Sequence, residues 1–311
     1  MARQPVRIGA RGSKLSRVQA EFVRAAIVGR LGPGAATVVT ITTSGDRIQD
    51  RTLSDIGGKG LFTKEIEDAL LDGRIDCAVH SLKDMPTESP AGLAIAATPE
   101  REDPRDVFVS PRFQSLDALP SGAVLGTASL RRQAQALRAR PDLQVIALRG
   151  NVDTRLAKLE RGEADGIILA AAGLHRLGLG AQARAYIDPV RSPPAPGQGA
   201  IAIQTRDDDI HADWLADLRH WPTWLAVTAE RAALAALDGS CRTAIGAYAR
   251  IVGDELALDV EALSPDGRHS VRNGGAVALG GEDDETLARV LGRRLGEDVR
   301  ARAGDTLSAP V

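Results

Sequence analysis

Short apolar runs typical of β-strands alternate with helical stretches through the first two thirds of the chain, and this alternation constrains the fold more than any other feature. It favours layers in which helices cover mixed or parallel sheets. The predicted elements are, in chain order, strand Val6–Ala10, a helix from the N-cap Ser13 to Leu31, strand Thr37–Thr42, helix Phe62–Leu71, strands Ile75–His80, Leu93–Ala97 and Ala123–Gly126, helix Leu130–Arg138, strand Leu143–Leu148, helix Val152–Arg161 and strand Gly166–Ala170. The pattern restarts after Ala97, so two α/β lobes are expected.

Two proline-containing sites divide the chain. Its 311 residues are too many for one ordinary core, and domain crossings are expected near Pro104 and at Pro193–Gly197. Ala200–Gln204 is strand-like and is predicted to return to the first lobe. The last third predicts a smaller α+β domain. It contains helix Trp224–Leu237, two or three strands near Ala247–Val252, Leu256–Leu263 and Ser270–Leu279, and helix Glu285–Arg302. The expected domains are residues 1–99 with 200–218, residues 104–193, and residues 222–311.

Two lobes joined by two crossings predict a hinged cleft that holds a small ligand. That architecture is shared by solute-binding proteins and therefore specifies no reaction. A net charge of −2 excludes a strong overall field for nucleic acid or anionic membranes. No apolar run is long enough to span a bilayer, and the first residues lack the apolar core of a signal peptide, so a cytoplasmic protein is expected.

Arginines cluster near predicted helix starts. Arg11 precedes Ser13, and the segments Thr127–Arg132 and Arg149–Arg155 each follow a strand and open a helix. A helix N-terminus offers unpaired N–H groups and partial positive charge, and an added guanidinium makes it an anion site. These turns therefore predict a polyanionic ligand. The alternative is ordinary N-capping with solvated arginines. The total of 34 arginines against five lysines is itself explained by composition bias, so each arginine is judged by its position.

Two loops carry further candidate residues. The Gly57–Gly60 segment lacks the spacing of a phosphate-binding loop, so it is interpreted as a lid with Lys59 reaching the ligand, or as a plain turn. Lys83 and Asp84 follow the strand that ends at His80, where a carboxylate would face a ligand crevice and move a proton or stabilise a cation. The alternative is a surface turn, and His80 itself is interpreted as a packed histidine.

The two cysteines differ in their surroundings. They are too few for a disulfide framework or a cysteine-based zinc site. Cys241 lies in a predicted loop beside Arg242, and a neighbouring cation favours the nucleophilic thiolate. Its alternative is a buried free cysteine. Cys77 lies inside a predicted strand and is interpreted as buried filler.

The order and spacing of eight segments resemble porphobilinogen deaminases over nearly the whole chain. The segments are Gly57–Phe62, Asp76–Pro86 (DCAVHSLKDMP), Glu100–Phe108 (EREDPRDVF), Gly126–Arg132 (GTASLRR), Leu148–Leu156 (LRGNVDTRL), Ala172–Gly178 (AGLHRLG), Pro196–Ala200 (PGQGA) and Glu230–Cys241. The resemblance implies two α/β domains similar to periplasmic binding proteins and a third domain that carries a cofactor cysteine. It also implies a monomer.

In that family four porphobilinogen molecules are joined head to tail, with loss of four ammonias, to give hydroxymethylbilane. The resemblance implies a dipyrromethane cofactor bound by a thioether to Cys241, and it assigns Asp84 as the catalytic aspartate. The implied cofactor-binding residues are Lys83, Thr127, Ser129, Arg131, Arg132, Arg149 and Arg155. The implied substrate-binding residues are Arg11, Ser13, Lys59, Arg149, Arg155, Arg176 and Gln198.

Three positions depart from the family pattern. Gly12 and Ala128 stand where polar side chains are common, and Ala244 stands where a proline usually follows the cysteine. Two other classes of protein compete with the deaminase interpretation. A cytoplasmic binding module would explain the anion-binding turns but neither Asp84 nor Cys241. A phosphate-transfer enzyme would be expected to carry a phosphate loop, which the chain lacks.

Overall fold

The computed structural model describes residues 4–44, 63–237 and 244–304. Lys59 with the Gly57–Gly60 segment, and Cys241, lie outside these ranges. The chain forms two compact units, described separately below. The first comprises residues up to Glu102 together with Gly199–Trp224, and the second comprises Asp103–Gln198 together with the chain from Leu225 onwards.

The predicted strands and helices within the described residues are confirmed, with ends that shift by a few residues. The strands are β1 Val6–Arg11, β2 Ala36–Ile41, β3 Cys77–Ser81, β4 Leu93–Ala97, β5 Asp106–Val109, β6 Val124–Gly126, β7 Gln144–Ile146, β8 Gly166–Ala170, β9 Ala185–Tyr186, β10 Ile201–Arg206, β11 Ala244–Val252, β12 Glu255–Leu263 and β13 Ser270–Ala278. The helices are α1 Lys14–Leu31, α2 Lys64–Leu71, α3 Leu130–Ala139, α4 Val152–Glu160, α5 Ala171–Arg176, α6 Trp221–Ala236 and α7 Asp284–Ala303. The strands β5 and β9 and the helix α5 were not predicted.

The first unit contains a five-stranded mixed sheet in the order β2-β1-β3-β10-β4. β1 pairs in parallel with both β2 and β3, and β10 runs antiparallel to β3 and β4. The central strands are apolar because helices cover them: Ile8 and Ile203 are fully buried and Val79 is 2% exposed. Parallel pairing brings the carboxyl ends of β1 and β3 to one edge of this sheet.

The second unit contains a five-stranded sheet in the order β7-β6-β8-β5-β9. β7, β6 and β8 are parallel, and β5 is antiparallel to β8 with Asp106 opposite Ala170. β5 therefore begins at the edge where β8 ends. This strand escapes sequence analysis because it has only four residues, begins with a charged side chain and follows Pro104.

A three-stranded antiparallel sheet, β11-β12-β13, also belongs to the second unit. α7 packs on α6 through two glycines, since a Cβ at Gly292 or Gly296 would clash with the backbone of α6 at Ala229 or Ala233. Val260 and Val299 are fully buried in the core that joins the sheet to these helices. This arrangement is the expected α+β part of the chain.

The three sheets with their helices confirm an α/β fold with a smaller C-terminal α+β part. The hinged cleft and the boundaries of three domains stay predictions. No helix among the described residues is long and apolar enough to cross a membrane.

Candidate active site

The first unit places four predicted site residues at or just after the ends of β1 and β3. Arg11 is the last residue of β1, and Ser13 is the N-cap of α1, with Oγ accepting from Ser16 N at 3.3 Å. Lys83 and Asp84 lie in the 3-10 turn that follows β3. Because β1 and β3 are parallel neighbours, both segments leave the sheet at the same edge. We call Arg11, Ser13, Lys83 and Asp84 the strand-end group.

Asp84 is exposed on a turn that is anchored from both sides. Leu82 and Met85, which flank Lys83 and Asp84, are 1% and 6% exposed. The backbone N–H of Leu82 donates to Ala200 O at 3.0 Å, and that of Met85 donates to Leu82 O at 3.1 Å. Within the described part of the chain, no hydrogen bond or ion pair reaches the Asp84 carboxylate. The anchored turn therefore presents a carboxylate that no described residue pairs with.

His80 lies on β3 just before this turn and is buried. Burial, with a smaller effect of Arg11, lowers its pKa to about 4, although the Gln204 side chain partly opposes the shift. The imidazole is therefore neutral at neutral pH. This agrees with its interpretation as a packed histidine and leaves Asp84 as the acid–base candidate at this strand end.

Two strand-to-helix turns in the second unit carry most of the predicted cofactor-binding residues. Ser129 Oγ caps α3 by accepting from Arg132 N at 3.4 Å, and the Ser129 N–H donates to Thr127 Oγ1 at 3.2 Å. One strand along the sheet, Asn151 Oδ1 caps α4 by accepting from Thr154 N at 2.9 Å. The predicted N-cap Ser13 is confirmed, and Ser129 and Asn151 cap the helices that the two arginine-containing segments were expected to open.

Gly150 makes the second of these turns possible. Its φ of +115° lies in the region that side-chain-bearing residues rarely adopt. It joins half-buried Arg149 to Asn151, and half-buried Arg155 follows in the first turn of α4. Arg176, also half-buried, is the last residue of α5, which follows β8 in the same sheet. These three arginines follow parallel strands that end at a common edge.

Arg131 and Arg132 are almost fully buried and share one acceptor, Asp106. Asp106 Oδ2 accepts from Arg131 Nη1 at 2.7 Å, and Asp106 Oδ1 accepts from Arg132 Nη2 at 2.8 Å. Gln198 Nε2 also donates to Asp106 Oδ1 at 2.9 Å. Gln135 Oε1 accepts from Arg131 Nη1 at 2.8 Å. We call these five residues the Asp106 network.

The electrostatics of the Asp106 network follow from its composition. Burial opposes ionisation of Asp106, but the two guanidiniums and Gln198 outweigh burial and hold its pKa well below the usual range. Burial lowers the pKa of Arg131, although a guanidinium stays charged in proteins. Two cations thus face one anion among these five residues, which leaves one positive charge in excess.

The two arginines use their nitrogens differently. Arg132 donates from Nε and Nη2 to Asp106 and from Nη1 to Ile168 O at 3.0 Å, so every nitrogen has a protein acceptor. Arg131 makes its hydrogen bonds through Nη1, to Asp106, Gln135 and Pro193 O. Its Nε is buried and has no hydrogen-bond partner in the described ranges, and Nη2 has none there either. The Nε–Nη2 edge matches the two oxygens of a carboxylate.

Sequence reasoning missed Asp106 and Gln135. Asp106 lies within the EREDPRDVF segment that carries the family resemblance, but no role was assigned to it. Its neighbours in space are 25 and 26 positions away along the chain. The spacing of four between Arg131 and Gln135 was the one local signal, since such residues face each other on a helix.

Comparison with known proteins identifies the family. The porphobilinogen deaminase model for the dipyrromethane cofactor binding domain matches residues 6–213, and the model for the porphobilinogen deaminase C-terminal domain matches residues 224–301. The chain belongs to the porphobilinogen deaminase family. A porphobilinogen deaminase of Caulobacter vibrioides (strain NA1000 / CB15N) is 61% identical, and the alignment covers 100% of both chains. One of Caulobacter sp. (strain K31) is 60% identical over 99% of both chains.

Porphobilinogen deaminases condense porphobilinogen into hydroxymethylbilane in tetrapyrrole biosynthesis. The chain is therefore a transferase that uses a dipyrromethane cofactor, and both expectations from the sequence are confirmed. Among solved structures, the methionine binding protein MetQ matches with a TM-score of 0.45 and 14% identity, covering 69% of this chain and 88% of that one. That similarity is too low to support an argument.

The residues present fit a porphobilinogen deaminase cofactor. Its pyrrole rings bear carboxylate side chains, which bind to positively charged hydrogen-bond donors held in fixed positions. Arg131 Nε, which is buried and has no acceptor among the described residues, and the excess positive charge of the Asp106 network provide such a donor. The capped N-termini of α3 and α4 add N–H groups with partial positive charge.

Proposed function

We propose that the second unit binds the carboxylates of the dipyrromethane cofactor and of porphobilinogen through its arginines and helix N-termini. The carrying observation is the buried Arg131 Nε, whose edge lacks an acceptor among the described residues. A charge-assisted hydrogen bond at such a site stabilises the bound anion by roughly 1.5–3 kcal/mol. Arg132 and Gln198 contribute by fixing Asp106, which both contact.

Further carboxylate contacts are assigned to the remaining arginines and to the helix caps. Arg149 and Arg155 serve cofactor and substrate, and Arg176 serves the substrate. Thr127 and Ser129 hold the α3 turn in the conformation that presents its N–H groups. In the first unit, Arg11, Ser13 and Lys83 provide the cationic and hydroxyl donors. Lys59 is proposed as a substrate contact from the sequence alone.

Asp84 is proposed as the catalytic residue. The bound cofactor supplies a nucleophilic ring carbon, and positive charge develops on pyrrole nitrogens as ammonia leaves and the new bond forms. A preorganised carboxylate stabilises such charge and accepts a proton. The anchored turn holds Asp84 in place, and since no described residue pairs with its carboxylate, its oxygens are available to the substrate.

Cys241 is proposed as the attachment point, through a thioether. The chain has two cysteines, and the other, Cys77, is fully buried in β3. Burial raises the pKa of the Cys77 thiol far above its ordinary value. Because the thiolate is the nucleophilic form, Cys77 is a poor attachment site. Before the cofactor is attached, the Cys241 thiol must stay reduced, which suits the cytoplasm. We propose that the protein acts there as a monomer on a small-molecule substrate, without nucleic acid or membrane as a partner.

The mass of the intact protein tests the attachment. The purified chain should exceed its sequence mass by two pyrrole units. Cys241→Ser should lack both this adduct and product formation, because the thioether sulfur is gone. Cys77→Ser is the matched control and should keep both. An adduct that survives in Cys241→Ser, or that maps to Cys77, contradicts the proposal.

A further inference from the structure

A second buried carboxylate lies behind the Asp106 network. Gln135 Nε2 donates to Glu261 Oε2 at 3.0 Å, while its Oε1 accepts from Arg131 Nη1 at 2.8 Å. Glu261 lies on β12 and is fully buried. Its Oε1 accepts from Arg138 Nη1 and from Ser270 Oγ. One amide therefore links Arg131 to the three-stranded sheet of the same unit.

The chemistry of the neighbours fixes the orientation of the Gln135 amide. Arg131 can only donate, so the amide oxygen must face it. Glu261 and the Pro193 carbonyl can only accept, so the amide nitrogen must face them, at 3.0 Å in each case. A carboxylate at position 135 would oppose Glu261, and an aliphatic side chain would leave both neighbours without this link.

The surroundings make this link rigid. α3 packs on the three-stranded sheet through Ala134, Ala244 and Leu263, all buried. The turn between β12 and β13 approaches α3 at Gly267, where a Cβ would clash with the α3 backbone at Ala134 and Arg138. The spacing between Gln135 and Glu261 is therefore set by backbone packing.

We propose that Gln135 and Glu261 are positioning residues for cofactor binding. They hold Arg131 Nη1 inward, so that the Nε–Nη2 edge faces the cofactor carboxylate. The same link fixes the position of Arg131 relative to the three-stranded sheet. In the sequence, this sheet begins just after the segment that contains Cys241. This inference rests on the proposed role of Arg131 and extends it to two residues that touch neither cofactor nor substrate.

Exchanging the two polar groups tests this inference. Gln135→Glu places two carboxylates face to face, and Glu261→Gln leaves one amide to satisfy both Gln135 and Arg138. In the double variant Gln135→Glu/Glu261→Gln, the new carboxylate accepts from Arg131 and from the new amide, whose oxygen accepts from Arg138. The pattern of donors and acceptors and the net charge are thereby restored, although the Pro193 carbonyl loses one donor.

The readout is the rate at which the full-length, cofactor-free chain gains the two-pyrrole adduct during incubation with porphobilinogen, followed by intact mass. Each single variant should load about tenfold more slowly, the size expected for one charge-assisted hydrogen bond. The double variant should regain most of the rate. Gln133→Leu is the matched control. Gln133 also joins α3 to the segment after β12, through Pro265 O at 3.3 Å, but its side chain forms no hydrogen bond with Arg131 among the described residues. It should load normally.

Two results overturn the inference. Normal loading in both single variants would show that the link does not position Arg131. A double variant as slow as the singles would show that the polarity of the link is irrelevant. Arg131→Leu, measured in parallel, separates this inference from the proposed function. If Arg131→Leu loads normally, the proposed role of Arg131 fails; if it alone fails to load, only the positioning role of Gln135 and Glu261 is wrong.

Discussion

Asp84 in the first unit and Asp106 in the second are carboxylates at comparable edges of two mixed sheets, yet their environments are opposite. Asp84 is exposed on a 3-10 turn after β3, and no described residue pairs with it. The Asp106 side chain is 3% exposed and accepts from two arginines and a glutamine. Each edge also carries a serine-capped helix, Ser13 in one unit and Ser129 in the other.

The difference distinguishes a carboxylate that stabilises the fold, Asp106, from one that is proposed to take part in the reaction, Asp84. A carboxylate whose hydrogen bonds are all made by the protein cannot exchange them for a substrate, and its pKa is held away from neutral pH. Asp106 therefore holds two guanidiniums in place, and its folded neighbours keep it ionised. In the proposed function, Asp84 keeps its oxygens for the reacting pyrroles. Its position depends on the buried Leu82 and Met85, since no described residue forms an ion pair with it.

Removal of the Asp106 charge is the most damaging change expected for the fold. Asp106→Asn preserves shape but leaves Arg131 and Arg132 buried without an anion. Breaking a buried ion pair in this way costs about 3–5 kcal/mol. Denaturant unfolding should show a correspondingly lower midpoint, and loading with cofactor should fall as well.

The exposed pair Arg161–Glu163 supplies the matched control for that variant. Its side chains are 59% and 43% exposed. Pairs of this kind stabilise by only about 0–1 kcal/mol, so Glu163→Gln should hardly move the midpoint. Equal effects of Asp106→Asn and Glu163→Gln would remove the distinction between a buried structural carboxylate and a solvated one.

A smaller effect is expected in the dependence of stability on pH. The pKa of Asp106 is lower in the folded chain than the value of about 3.9 for an unfolded aspartate. Its contribution is therefore fully present above the unfolded pKa and is lost as pH falls towards the folded pKa. The stability difference between the unaltered chain and Asp106→Asn should stay constant from pH 8 to pH 5 and shrink below about pH 4. Denaturant unfolding across this range measures it, and a difference that grows on acidification contradicts the account.

Local side-chain patterns predicted much of this fold. Hydrophobic periodicity predicts the alternation of strands and helices. Helix starts at Ser13, Ser129 and Asn151 can be recognised because an N-cap needs a small polar side chain at a fixed position. The placement of Asp84 after β3 follows from the same reasoning. These features depend on neighbours a few residues away, which a single sequence displays.

The Asp106 network could not be predicted in this way. In the sequence, Asp106 is only a charged residue near Pro104. Its contact with two arginines of α3 arises from the pairing of β5 with β8. Gln135 and Glu261 are 126 positions apart, and nothing near either residue indicates the other. Long-range pairing decides which charged side chains are buried, and the sequence resemblance located the arginines without showing what holds them.

The central claim is that Asp84 performs the chemistry while Arg131 binds the cofactor, and one paired measurement tests it. Adduct loading by intact mass and single-turnover deamination by loaded protein should be compared in Asp84→Asn, Asp84→Glu and Arg131→Leu. Asp84→Asn should carry the adduct but lose about 10³-fold in turnover, or roughly 4 kcal/mol of transition-state stabilisation. Asp84→Glu should lose far less, since its charge remains, and Arg131→Leu should be defective in loading. Near-normal turnover in Asp84→Asn, or full loading with normal turnover in Arg131→Leu, would contradict the claim.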